Sequence, residues 1–487
     1  MITPAPLPWV LIVPLAAALA TLLASERHRA RVALPLVALQ WLASFALARQ
    51  VVVDGPQRHA LGGWDAPLGI ALVADGLAAG MVALTALVAG ACCAYASVYL
   101  RDKPIANAYF WPLTWFLWTA LNGIWLSGDI FNLYVGLELL GLAAVGLVAL
   151  AGTATALAAA MRYLLAALLG SLAYLLGVAL LYAAYGTLAL PDLARVAEPQ
   201  ATTHVALALM TLGLLLKTAL FPLHAWLPPA HGGALTPVSA LLSALVIKAS
   251  FYILLRVWLA LGSGVAPLAA AHLLGALGAA AVFWGGWMAW RQTQLKQLVA
   301  YSTVAQIGYL FLFFPLAFGT SLAAARLAWD GTLLMLVSHA LAKAGMFLGA
   351  GTLILATGST QIGQLAGIGR FRPLLLFSFG LAGVSLMGLP PSGGFGAKWL
   401  LLHSALASGQ WWWLLVLLGG GLLSAAYVFK VFQQSFVEGP KRDRFESRSA
   451  TLELSALALS LASVVLGLAA HAPLDWLSRG APFAEAP

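Results

Sequence analysis

The sequence predicts an all-α polytopic membrane protein of about 14 transmembrane helices. Three observations carry the prediction. Of the 487 residues, 62% are hydrophobic and only 8% charged, where soluble proteins carry about 25% charged residues. Apolar runs of about 18 residues or more recur along the whole length, each long enough to cross a hydrocarbon core of roughly 30 Å as a helix. No strand alternation competes with them.

Taken in order, the spans are expected at 7–24, 32–52, 69–98, 108–127, 130–151, 160–187, 204–223, 235–261, 266–290, 297–318, 327–356, 373–405, 411–432 and 451–471. The first, in "MITPAPLPWVLIVPLAAALATLLASERHRAR", lacks a basic leader and is followed by its positive charges, so it reads as a span and not as a cleaved signal. With the N-terminus outside, the loops after odd-numbered spans hold Arg27, Arg29, Arg31, Arg101, Lys103, Arg291, Lys296, Arg370, Arg372, Lys441, Arg442, Arg444 and Arg448. The opposite loops hold little more than Arg58, Arg195 and Arg326. This asymmetry follows the positive-inside rule and puts both termini on the outer side. It also accounts for the formal charge of +9 without nucleic acid. Trp411, Trp412 and Trp413 read as an interfacial belt at a span end, and "EGPKRDRFESR" (438–448) as a solvated cytoplasmic loop.

Spans seven and twelve are interrupted alike. Span seven carries Lys217 and then "FPLHAWLPP"; span twelve reads "LMGLPPSGGFGAKWLLLHSAL", with Pro390, Pro391, Gly393 and Gly394 just before Lys398. Proline removes a backbone donor, and such breaks survive in lipid only where protein or water satisfies the freed groups. The two breaks lie five spans apart. Because five is odd, a unit of spans four to eight repeated as nine to thirteen is inverted in the membrane, the arrangement that places ion sites at discontinuous helices. The expected organisation is therefore 1–103 for helices 1–3, 104–262 for a first five-helix repeat, 263–435 for a second, inverted one, and 436–487 for a cytoplasmic loop, helix 14 and a short outer tail.

The functional signal is a set of ionisable residues at membrane depth. A charge at the centre of a bilayer costs roughly 2.5–3.5 kcal/mol on insertion scales, so it marks a functional site by default. At 1.5 Å per residue, Glu138 lies about 14 Å along span five from Asp129, and Lys217 and Lys248 each lie about 20 Å into their spans. His339 and Lys343, at i and i+4 in "SHALAKAGMFLGAG", share a helix face, and Lys398 opens the second half of a broken helix. Groups that hold or lose a proton, spread over successive helices at one depth, are what lateral proton transfer requires. Lys343 also fits a structural ion pair. His224 and His231, beside the proline break, fit relay, metal-ligand or capping roles; relay or capping is favoured because HxxxxxxH is not a strong metal spacing. Adjacent Cys92 and Cys93 offer no CxxC, so no iron–sulfur or zinc site is expected. Neither GxGxxG nor a Walker A motif occurs, and no cofactor is expected.

Several stretches together resemble the antiporter-like subunits shared by respiratory complex I, membrane-bound hydrogenases and Mrp-type multisubunit cation/proton antiporters. They are "GWDAPLGIALVADGLA", "NGIWLSGDIFNLYVGLELLGLAAVGLVAL", "KTALFPLHAWLPPAHGGALTPVSALLSALVIKASFYILLR", "RQTQLKQLVAYSTVAQIGYL", "HALAKAGMFLGAGT" and "GLPPSGGFGAKWLLL". A lysine at 398 looks like the Mrp D subunit and some complex I subunits; the first of these stretches and "GDIFNLYVGLELL" look most like the Mrp D subunit, while "PLHAWLPPAHGGALTPVSAL" has the flavour of the complex I and hydrogenase members. The resemblance implies fourteen core helices, two inverted repeats, and a proton path through Glu138, Lys217, Lys248, His339, Lys343 and Lys398, with Glu138 pairing with Lys217. It also implies other membrane subunits as partners, H+ and Na+ as transported ions, and a bacterial-type inner membrane. The function implied is proton translocation within an Mrp-type Na+(cation)/H+ antiporter, or alternatively within an NADH-quinone oxidoreductase-like or hydrogenase-like complex. Either way, redox centres belong to other subunits, and with the chain stopping at Pro487 any cation path is expected elsewhere in the assembly.

Overall fold

In hydrocarbon every backbone N–H and C=O has to be paired within the segment that crosses, which leaves apolar runs no option but helix. The computed structural model describes residues 6–64, 69–438 and 449–480, and most of them are helical. The helices are α1 (Pro6–Leu23), α2 (Arg29–Asp54), α3 (Gly76–Tyr99), α4 (Pro104–Leu126), α5 (Ile130–Ala149) and α6 (Ala154–Tyr185). Next come α7, in two pieces, α7a (Ala201–Thr218) and α7b (Leu227–Gly233), then α8 (Thr236–Gly262), α9 (Leu268–Arg291), α10 (Leu295–Ala317) and α11 (Leu322–Thr357). The last are α12, again split, α12a (Pro373–Met387) and α12b (Gly393–Ala407), α13 (Trp413–Phe436) and α14 (Ala450–Leu468).

Among the described residues, twelve helices are long and apolar enough to cross a membrane. α4, 23 residues long and rich in tryptophan, and the two 15-residue halves of α12 bring the set to the fourteen expected. Both interruptions fall where the prolines predict them.

Three local expectations need correcting. Span three begins at Gly76, because residues 71–74 pair as a strand with 57–60 in a short antiparallel hairpin, Gln57 opposite Ala74. Its four-residue strands are too short to show alternation in the sequence. Trp411 and Trp412 are exposed as a belt requires, whereas Trp413 is buried and donates to Gln410 Oε1 at 2.8 Å. Lys296 is buried inside the bundle and not in a loop. The charges at 441, 442, 444 and 448 lie outside the described residues.

Burial divides the helices into two classes. The apolar windows of α3, α8, α10 and α11 are at least 83% buried, while those of α1, α2, α5, α6, α9, α13 and α14 are 39% buried or less. A helix buried on every side is surrounded by others. The central helices α8, α10 and α11 carry Lys248, Lys296, His339 and Lys343, so the ionisable residues are held away from lipid.

The end of the bundle where α3 begins is tied by polar contacts. Asp75 caps α3, accepting from the Ala78 amide at 2.8 Å, and takes a bidentate pair of 2.6 Å bonds from Arg256 of α8. Arg256 also lies over the Tyr252 ring, whose hydroxyl donates to the Trp125 carbonyl at 2.6 Å. The segment after α14 returns here, with the Gly76 amide donating to the Arg479 carbonyl at 2.9 Å.

Candidate functional site

The first half of the site forms where α5, α6 and α7a meet. Asp129 caps α5 through a 2.7 Å bond from the Asn132 amide, which fixes the start of the helix that carries Glu138. Gly170 of α6 faces Gly213 of α7a so closely that a Cβ on Gly213 would stand 2.2 Å from the Gly170 carbonyl oxygen. Only two glycines permit that approach. One turn further on, Lys217 donates to Ser171 Oγ and stands 3.6 Å from Glu138 Oε1. α7a then ends at Thr218, with Ala219 in the left-handed region (φ 56°). Lys217 therefore lies in the last turn, where the partial negative charge of the helix end favours a cation.

The second half lies in the central helices. In α8, residues Leu242–Val246 form a π-helical turn, a distortion that recurs at functional positions. Lys248 Nζ donates to the carbonyl of Ser243, within this turn, at 2.9 Å. Ser243 Oγ pairs with Thr303 Oγ1 of α10 at 2.9 Å. Lys343 of α11 donates to the Val299 carbonyl of α10 at 3.1 Å and to Ser302 Oγ. Beyond it, Lys398 of α12b reaches back across the break to the Leu386 and Met387 carbonyls at 3.0 and 3.1 Å, and lies 4.5 Å from the centre of the Tyr309 ring. It caps the carboxyl end of α12a as Lys217 sits at that of α7a.

Two histidines lie between these lysines. His339 is buried, both its ring nitrogens lack a hydrogen-bond partner among the described residues, and Lys248, Lys343 and Lys398 all act on it electrostatically. His231 of α7b is buried in the same condition, stacked on Phe347 at 5.6 Å, with Lys296, Lys343 and Lys248 acting on it. His224 stays with its own turn, its ring stacked against Phe221 at 5.5 Å.

The structure thus gathers Lys248, His339, Lys343 and Lys398 into one cluster, joins Glu138 to Lys217, and brings His231 into the cluster while leaving His224 outside. The sequence reading missed Lys296, which donates to the Ala234 carbonyl just after α7b. Its signal was helical spacing: Lys296, Val299 and Thr303 share one face of α10. The hydroxyls of Ser171, Ser243, Ser302 and Thr303 were missed too, because serines and threonines are common in membrane helices. Among the described residues no three His, Cys, Asp or Glu side chains converge as metal ligands would.

Fourteen helices with matched breaks in the seventh and twelfth, and buried lysines at both breaks, define a class of polytopic membrane protein with ionisable groups held at membrane depth. Residues 127–424 match the family described as NADH:quinone oxidoreductase/Mrp antiporter, transmembrane, and the chain belongs to it. It is 37% identical over 442 residues to the N subunit of NADH-quinone oxidoreductase from Desulforudis audaxviator, covering 87% of each chain. It is 30% identical to the D subunit of the Na(+)/H(+) antiporter from Alkalihalophilus pseudofirmus, covering 88% of this chain and 86% of that one. Its fold superimposes on a chain of an archaeal respiratory complex, the membrane-bound sulfane sulfur reductase, with a TM-score of 0.90 at 26% identity, covering 97% and 96% of the two chains.

Proposed function

We propose that this chain is the proton-translocating membrane subunit of a multisubunit Mrp-type Na+(cation)/H+ antiporter, moving H+ along Glu138, Lys217, Lys248, His339, Lys343 and Lys398, with His231 as relay and Lys296 leading to it. One observation carries the reading. Lys248, Lys296, Lys343 and Lys398 are each buried with only neutral oxygens as hydrogen-bond partners, and no carboxylate pairs with them among the described residues. A buried ammonium without a counter-ion is costly, and a packing role gives no return for that cost. A site that takes up and releases a proton does.

In this scheme a proton arriving on one amine repels the charge on the next, and in the low-dielectric interior the repulsion outweighs what water would allow. His339 lies within the field of three lysines and passes the proton between them. Glu138 holds the charge of Lys217 until its own partner changes. The organisation 1–103, 104–262, 263–435 and 436–487, with the two middle units inverted repeats, is supported by the paired breaks and by a lysine at the carboxyl end of each first half-helix. The Mrp-type assignment draws on the motif "GWDAPLGIALVAD" and on the antiporter relative. A second reading, a proton-pumping arm of a quinone oxidoreductase-like or hydrogenase-like complex, draws on the quinone oxidoreductase relative and on the sulfane sulfur reductase fold. The proposed setting is a bacterial-type inner membrane with both termini outside.

The test is Na+/H+ exchange read by a pH-sensitive dye in vesicles holding the whole complex, wild type against Lys217→Ala at equal assembly. Exchange that is present and abolished by Lys217→Ala supports the antiporter reading. Absence of cation-dependent proton movement in the wild-type complex moves the coupling to redox partners.

A further inference from the structure

A cleft of about 880 Å³ opens between α9 and α13 where both helices end, on the bundle end where Arg and Lys concentrate. Its walls are aromatic: Trp290, Phe429 and Phe436 are 43%, 59% and 67% exposed, and Phe432 is half-buried beside them. Arg291 and Lys430 stand at the same cleft, and among the described residues no carboxylate lines it. Lys430 Nζ donates to the Trp290 and Gln292 carbonyls, both at 2.7 Å, capping α9. An ammonium has three donors, so one remains for a ligand. The Arg291 guanidinium, with five, makes no hydrogen bond or ion pair among the described residues.

We propose that this cleft binds an anionic phospholipid of the adjacent leaflet, its headgroup phosphate taken by Arg291 and Lys430 and its glycerol and upper acyl segments by the aromatic wall. Two cations without a carboxylate select a negative headgroup; basic pockets between membrane helices on the positively charged side bind such lipids. The apolar wall separates a lipid from free phosphate. From Ala426 to Phe436 it runs about 15 Å along α13, far beyond the reach of a phosphate ion, and aromatic rings at a helix end are placed where headgroups meet chains. Arg370 adds a third cation nearby, since its short helix, Ile368–Phe371, packs at Gly369 against Phe436.

The test uses the full chain in its native assembly, reconstituted with phosphatidylglycerol carrying a photoreactive group in the upper acyl chain, with labelled peptides read by mass spectrometry. Label is expected on the 426–436 segment. Unlabelled phosphatidylglycerol should compete and phosphatidylcholine should not. Arg291→Gln should lower the label at least fivefold, and Arg291→Lys should keep it. Arg291 is exposed at a helix end, so neither change threatens the fold, and Lys430 is left in place because it caps α9. Equal labelling by a phosphatidylcholine probe, competition by inorganic phosphate as strong as by the lipid, unchanged labelling in Arg291→Gln, or no label at the segment would each overturn the proposal.

Discussion

Replacing Gly213 with alanine asks whether the close crossing of α6 and α7a is what holds Lys217 beside Glu138. The added Cβ would meet the Gly170 carbonyl oxygen at 2.2 Å and the Tyr174 amide nitrogen at 3.0 Å. Both are backbone atoms, which cannot swing aside as the end of a side chain does. The helices have to part by about 1 Å to restore van der Waals contact. Lys217 is four residues from Gly213 on the same face, so it moves with the crossing. With an effective dielectric constant near 20, the attraction between charges at the 3.6 Å Lys217–Glu138 separation is about 5 kcal/mol, and 1 Å more removes about 1 kcal/mol of it, roughly fivefold. Misplacing a reacting group by about 1 Å costs up to about 10²-fold in rate. Proton flux measured with the pH-sensitive dye, at matched assembly, should therefore fall between about fivefold and 10²-fold. Gly123→Ala, where nothing lies within 4 Å of the added Cβ, should leave flux unchanged. If Gly213→Ala assembles and moves protons at the wild-type rate, the crossing does not position Lys217 and the reasoning is refuted.

Gly394→Ala places a Cβ 1.8 Å from the Ser385 carbonyl oxygen. It should push α12a and α12b apart, take Lys398 from the Leu386 and Met387 carbonyls, and abolish proton flux in a chain that still inserts, as read by dye and by membrane fractionation. Asp75→Asn leaves the partly buried Arg256 without its bidentate carboxylate, so the thermal unfolding midpoint of the purified complex should drop below wild type. Lys296→Ala should lower flux more than tenfold while reporter fusions show unchanged orientation; unchanged flux would return this residue to a purely topological role.

The legibility of the site in the sequence differed residue by residue. Glu138, Lys217, Lys248, His339, Lys343 and Lys398 stood out because charge in an apolar run is costly enough to be conspicuous. Lys296 did not, since a basic residue two positions after Gln294 at a span edge looks the same whether it turns outward to water or inward to the Ala234 carbonyl. His224 and His231 read alike beside one break. Only packing separates them, by setting His231 against Phe347 among three lysines and leaving His224 on its own turn. The hairpin at 57–60 and 71–74 was hidden because an apolar strand preceding an apolar helix merges with it in any hydropathy pattern.

By itself the sequence determined that the chain crosses the membrane as helices, how many times, where the seventh and twelfth helices break, and which groups are ionisable at depth. These are local matters: backbone hydrogen bonds close within each segment, and prolines break the helix where they stand. The tertiary structure alone decided which of those groups meet. The Gly170–Gly213 crossing and the burial of α8, α10 and α11 on all sides each depend on contacts between segments far apart in the chain. In lipid such contacts are chosen by close packing of small residues and by polar satisfaction, with no hydrophobic drive between helices to announce them in the composition.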